Sequence, residues 1–212
     1  MNRRRILQST LAGAVIGGTG VLGSTNATAA SSDIIRKPRR LKQGDTIGLV
    51  APASSPLEDE GVRFSIDLVR SLGFKVKQGA HIFDRQQYLA GEDRARADDV
   101  NAMFANDDVD AIFCLRGGYG TSRMLPYLDY DLIRNKPKVL LGMSDITGIL
   151  TAIHTKTGVV GFHGPNASGN FSDYALSEFR KVLMQPAATT QIGAAPPFET
   201  REGNIERKNR LT

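Results

Sequence analysis

The amino-acid sequence predicts an α/β fold, an open and mostly parallel sheet with helices on both faces. Three observations predict it. From Gly44 onward, short apolar runs alternate with longer stretches whose apolar residues recur at helical spacing, the order expected when each strand returns to the sheet through a crossover helix. Glycine and proline punctuate the joins: Pro52 and Pro56 follow the first run, and Gly73 ends the first helical stretch. Of the 212 residues, 41% are hydrophobic and 23% charged, close to the balance of globular domains and enough chain to bury a core.

Taken in order, Thr46 to Ala51 is the first expected strand. Val62, Ile66, Val69 and Leu72 then mark one face of a helix. Phe74 to Lys77 is the second strand, the polar stretch from His81 to Asp93 a loop, and Ala97, Val100, Met103 and Phe104 the apolar face of the next helix. Asp110 to Leu115 and Val139 to Gly142 are the third and fourth strands, Ile146 to Thr157 a helix, Val159 to Phe162 the fifth strand and Tyr174 to Met184 the last helix. This succession is that of a Rossmann- or flavodoxin-like domain over residues 41–185. Residues 186–212 are small and proline-rich, then almost wholly polar, and read as a linker.

Residues 1–29 read as an export address. Arg3, Arg4 and Arg5 precede the apolar pair Ile6-Leu7, as in twin-arginine signals, although Gln8 stands where lysine is usual. An uncharged, glycine-rich run from Leu11 to Leu22 follows, and Ala27-Thr28-Ala29 supplies small residues for cleavage after Ala29. The run is too short to cross a hydrocarbon core that needs about 20 apolar residues, so the expectation is an exported, extracytoplasmic protein with no stable membrane anchor.

The formal charge of +5 comes partly from those arginines; without them 24 basic residues face 22 acidic ones. So mild an excess, with few aromatics interleaved, leaves no footprint for nucleic acid. The single cysteine, Cys114, lies in an apolar run, which excludes an internal disulfide and a cysteine-based zinc site.

Ligands of open parallel sheets bind beyond the carboxyl ends of the strands. Three segments should meet there: Arg116-Gly117-Gly118-Tyr119-Gly120, Met143-Ser144-Asp145 and His163-Gly164-Pro165. Ser144 at a strand-to-helix turn has the setting of a nucleophile, although Ile146 replaces the usual glycine two residues on. A serine before Asp-Ile-Thr is equally a good helix N-cap. Gly117 and Gly118 permit a close backbone approach that cradles an anion, or form a plain turn. Of the three histidines, His154 lies about 15 Å along the helix from Ser144, and His81 reads as a solvated loop residue. His163 can reach Ser144 if the fourth and fifth strands pair, or it simply orders its loop.

Together these segments resemble the LD-carboxypeptidase family of serine peptidases, which includes murein tetrapeptide carboxypeptidases and microcin C immunity peptidases. The likeness runs from about Leu41 to Leu183 and rests on Gly44-Asp45, Ala51-Pro52-Ala53-Ser54, Arg116 to Gly120, Gly142-Met143-Ser144-Asp145-Ile146-Thr147 and His163-Gly164-Pro165. It implies that Ser144 attacks the L,D peptide bond before a terminal D-alanine. Backbone N–H groups of Asp145, Gly117 and Gly118 would hold the oxyanion, with His163 beside the substrate. Neither metal nor cofactor is implied. The partner is a peptidoglycan peptide, and the family's tendency to dimerise makes a homodimer one assembly to test.

The family's catalytic glutamate and histidine lie in a carboxyl-terminal domain. After Gln185 this sequence offers Glu199, Glu202 and Glu206, but no histidine follows His163. The expectation is a chain lacking that domain and impaired alone. A non-catalytic muropeptide-binding domain, an amide hydrolase of the microcin C immunity type, and a chain active alone with His163 as base are the other readings of the same residues.

Overall fold

A computed structural model of the chain describes residues 34–56, 58–169 and 171–194. The expected export signal lies outside these residues. Five strands, β1 (Thr46–Val50), β2 (Lys75–Gln78), β3 (Ala111–Cys114), β4 (Val139–Gly142) and β5 (Phe162–His163), form one sheet in the order β2-β1-β3-β4-β5. Every pairing is parallel. The order reverses direction between β1 and β3, which opens a crevice at their carboxyl ends.

Period-two alternation along the strands builds two cores. Ile47, Leu49, Ala111, Phe113, Val139 and Leu141 face one side, where they meet α1 (Asp59–Ser71) and α6 (Asp173–Phe179). Val50, Ile112, Cys114 and Leu140 face the other and meet α2 (Asp93–Ala105) and α5 (Thr147–Thr157). Val62, Ile66 and Val69 are buried on α1, and Ala97, Val100, Met103 and Phe104 on α2. Burying each large apolar side chain contributes about 1.5 to 3 kcal/mol. At the sheet edge, β2 buries none of its four residues, and Lys75 and Lys77 are exposed.

The expected fold and element order are present, with differences at particular places. β1 ends at Val50 rather than Ala51, and β3 spans Ala111–Cys114 rather than Asp110 to Leu115, although the Asp110 and Leu115 N–H groups still donate to the Thr46 and Val50 carbonyls of β1, each at 2.9 Å. The fifth strand pairs at Phe162–His163 rather than over Val159 to Phe162. Val159 instead bridges Arg36: the Arg36 N–H donates to the Gly158 carbonyl, and the Val160 N–H donates to the Arg36 carbonyl. The helix expected from Tyr174 to Met184 begins at Asp173, capped by Ser172, and continues past Phe179 as a π-helical turn over Arg180–Met184. Between β3 and β4 the chain adds α3 (Thr121–Met124), a 3-10 turn over Leu125–Tyr127 and α4 (Tyr130–Asn135). None of these was expected, since each is too short to show a helical period. Beyond the π turn, Tyr174 Oη donates to the Gly193 carbonyl at 2.7 Å and the Gly193 N–H donates to Glu178 Oε2 at 3.2 Å.

Candidate active site

Ser144 is exposed at the carboxyl end of β4, and its backbone has φ +65°. Left-handed backbone costs a non-glycine residue about 1 kcal/mol or more and persists only where the surroundings impose it. Here a 3-10 turn over Ser144–Ile146 lies between the strand and α5. Met143 caps that turn and Ile146 caps α5, in neither case through a side chain. The Ser144 hydroxyl is therefore not spent as a helix cap.

The glycine turn lies against it. A methyl group on Gly117 would sit 2.8 Å from Ser144 Cβ and 3.1 Å from both Ser144 Oγ and the Met143 carbonyl oxygen. Only glycine admits this approach. Among the hydrogen bonds of the described residues, none is donated by the backbone N–H of Gly117 or Gly118.

Asp145 has a different duty from its backbone. Its Oδ2 accepts the Thr121 N–H at 3.0 Å, and its carbonyl accepts the Thr121 hydroxyl at 2.8 Å. This ties the serine turn to the first residue of α3. Met143, on the other side of the serine, donates its N–H to Asn166 Oδ1 at 2.9 Å. Asn166 is held in place because Ala167 and Ser168 donate their N–H groups to the carbonyls of Cys114 and Leu115, each at 2.9 Å.

His163 pairs in register with Gly142 and so lies at the same edge of the sheet. Its ring is exposed, and among the described residues no hydrogen bond joins it to Ser144. It lines a cavity of about 480 Å³ together with Met143, Pro165, Tyr174, Glu178 and Ile192. His154 points elsewhere, with Nδ1 3.2 Å from the Val159 carbonyl oxygen. His81 is not merely solvated: Nδ1 lies 2.7 Å from Asp84 Oδ2, and this hydrogen bond raises the imidazole pKa. The His81 and Ala80 N–H groups also converge on Asp99, at 3.0 and 2.8 Å, whose carboxyl pKa is raised by burial. Cys114 is fully buried, and burial pushes its thiol far above the ordinary range, which removes it as a rival nucleophile.

Two residues to which the sequence assigned no role, one of them within the motif Ala51-Pro52-Ala53-Ser54, shape the site. Ser54, after β1, donates its N–H to the Gly117 carbonyl and accepts the Tyr119 N–H on its hydroxyl, at 3.3 and 3.1 Å. Gly118, at φ +114°, passes so close that an added methyl would lie 2.2 Å from Ser54 Oγ. The second is Arg96, whose side chain is wholly buried beneath these loops. Its signal was present in the sequence, since it stands four residues before Val100 and seven before Met103 on the apolar stripe of α2.

Residues 47–164 match the family described as the LD-carboxypeptidase N-terminal domain. The chain is similar to a probable murein peptide carboxypeptidase of Bacillus subtilis, 44% identical over 175 residues that cover 80% of this chain and 54% of the relative. It is also similar to the microcin C7 self-immunity protein MccF of Escherichia coli, 34% identical over 154 residues, 68% of this chain and 44% of the relative. Its fold matches a structure of MccF in complex with glutamyl sulfamoyl guanosine with a TM-score of 0.67 and 29% identity, over 71% of this chain and 48% of the other. The chain spans about half the length of the curated relatives it matches.

Proposed function

The chain belongs to the LD-carboxypeptidase family through its amino-terminal domain, and on that premise we propose that Ser144 is the nucleophile of a peptidase cleaving the L,D bond before a terminal D-amino acid of a murein tetrapeptide. The observation that carries this reading is exposed Ser144, held at φ +65° against Gly117, with the Gly117 and Gly118 amides unpaired among the described residues. Ser144 Oγ adds to the scissile carbonyl carbon while its proton passes to a base. The carbonyl oxygen becomes an oxyanion facing the N–H groups of Asp145, Gly117 and Gly118. Each such donor is worth about 3 to 4 kcal/mol where one has been removed from a hydrolase. Collapse of the intermediate breaks the C–N bond, the base returns its proton to the departing D-amino acid, and water then frees the acyl group from Ser144.

The base is the glutamate-oriented histidine that the family carries in its carboxyl-terminal domain. Residues 1–29 would direct the chain across the cytoplasmic membrane to its substrate, with processing after Ala29 readable as the mass of the exported product. The test of the chemistry is D-alanine release from murein tetrapeptide by the full chain, alone and with a carboxyl-terminal domain of the family supplied in trans. Release that requires Ser144 is the expected result. Release unchanged by Ser144→Ala would sink the assignment, and tetrapeptide binding without turnover in either arm would favour a muropeptide-binding module.

Likeness to MccF favours a second reading, hydrolysis of an amide-like bond in an aminoacyl sulfamoyl nucleoside. Competing glutamyl sulfamoyl guanosine against the tetrapeptide separates the two, because the preferred substrate is the one turned over with the higher kcat/KM.

A further inference from the structure

We propose that Arg96 is a positioning residue for the reaction of Ser144: its guanidinium holds the loop after β1 and the glycine turn in fixed register beside the serine. The inference rests on the reading of Ser144 as nucleophile. Arg96 Nη1 donates to the Pro52 carbonyl at 2.6 Å and to the Gly120 carbonyl at 3.0 Å, and Nε donates to the Gly91 carbonyl at 3.2 Å. Its Nη2 pairs with Asp93, which also accepts from Arg123 Nε at 2.9 Å. Pro52 and Gly120 belong to the two segments that Ser54 joins, through its bonds to Gly117 and Tyr119. One planar group therefore grips both sides of the Ser54 contact from below, and the segment entering α2 as well.

A buried guanidinium is a costly way to fill a helix face. Burial lowers its pKa, and an apolar side chain of similar volume would fill the same space with no charge to desolvate. What leucine or methionine would lack is a rigid fan of donors reaching carbonyls on three separate segments. The Gly120 carbonyl ends the turn that brings Gly117 against Ser144, and the Pro52 carbonyl belongs to the loop whose Ser54 donates to Gly117, a setting where displacements of about 1 Å are worth up to a hundredfold in rate.

The test compares the full chain with Arg96→Lys and Arg96→Met by amide hydrogen exchange and by the rate at which a fluorophosphonate modifies Ser144, with and without the carboxyl-terminal domain in trans. In Arg96→Met, exchange should quicken in peptides covering residues 52–55 and 116–121 while the rest of the sheet keeps wild-type protection. Modification of Ser144 should slow by about tenfold or more, and lysine should restore part of it. If Arg96→Met does not fold, the lysine variant carries the same comparison. Faster exchange across the whole chain, wild-type exchange at both segments, or unaltered Ser144 reactivity over a loosened turn would each overturn the proposal. Should wild-type Ser144 fail to react in either arm, it is the hydrolase reading that fails, and the exchange pattern alone decides whether Arg96 holds the turn.

Discussion

Thr121 and Asp145 hold each other twice, N–H to carboxylate at 3.0 Å and hydroxyl to carbonyl at 2.8 Å. The residue after the candidate nucleophile is thereby fastened to the residue after the glycine turn. Ser144 and Asp145 follow β4 whereas Gly117 and Gly118 follow β3, and this double contact is one of the ties that keep the two loops in step.

Replacing Thr121 by valine removes the hydroxyl donor at a position that is 1% exposed. The expected cost is about 1 to 2 kcal/mol, from a partly buried carbonyl left without its partner. In a domain of this size that lowers the thermal midpoint by about 2 to 4 °C per kcal/mol. Calorimetry checks the midpoint, and Ser144 modification should slow several-fold in parallel.

Gly117→Ala tests the close approach. The new methyl would fall 2.8 Å from Ser144 Cβ, and overpacking of this kind costs about 1 to 3 kcal/mol. The serine must shift to make room. Loss of Ser144 reactivity with the fold retained, seen by circular dichroism, is the expected outcome; wild-type reactivity would show that the turn and the serine are not coupled.

Ser144→Gly and Ser144→Ala should both abolish turnover but differ in stability. Glycine adopts φ +65° without the Cβ penalty that serine bears. The glycine variant should gain about 0.5 to 1 kcal/mol over the alanine variant. Denaturant midpoints of the two measure the strain directly, and equal midpoints would mean that none is stored.

His81 predicts a pH dependence. Its hydrogen bond to Asp84 raises the imidazole above its ordinary value of 6.5, with neighbouring Asp99 and Asp98 adding to the effect. A raised pKa in the folded chain means that protonation stabilises the fold. That contribution is complete below the ordinary value and fades as pH rises through the higher folded value. The stability gap between wild type and His81→Gln should be wider at about pH 5.5 than at about pH 8.5, as thermal denaturation at the two pH values would show.

Much of the fold was legible because its signals are local. The alternation of Ile47, Leu49 and Val50, and the helical spacing of Val62, Ile66 and Val69, each report burial within a single element. Chain order placed Ser144 and Gly117 at the carboxyl ends of strands, but it left the serine equally readable as a helix cap, and its role as nucleophile came from the family resemblance. What escaped depends on contacts between distant segments. Arg96 sat unremarked on the α2 stripe because its partners, Pro52 and Gly120, are 44 and 24 residues away. Val159 was drawn into the fifth strand by its apolar neighbours, whereas the competing bridge to Arg36 spans more than half of the chain.

Both margins of the sheet discourage growth. At one, Lys75 and Lys77 of β2 present charge to any incoming backbone; at the other, β5 offers only two paired residues as a template. Exposed edges invite intermolecular strand addition unless they are charged or cut short. Among the described residues, both edges of the sheet therefore carry a feature that opposes strand addition, and neither is the row of strand termini that carries Ser144.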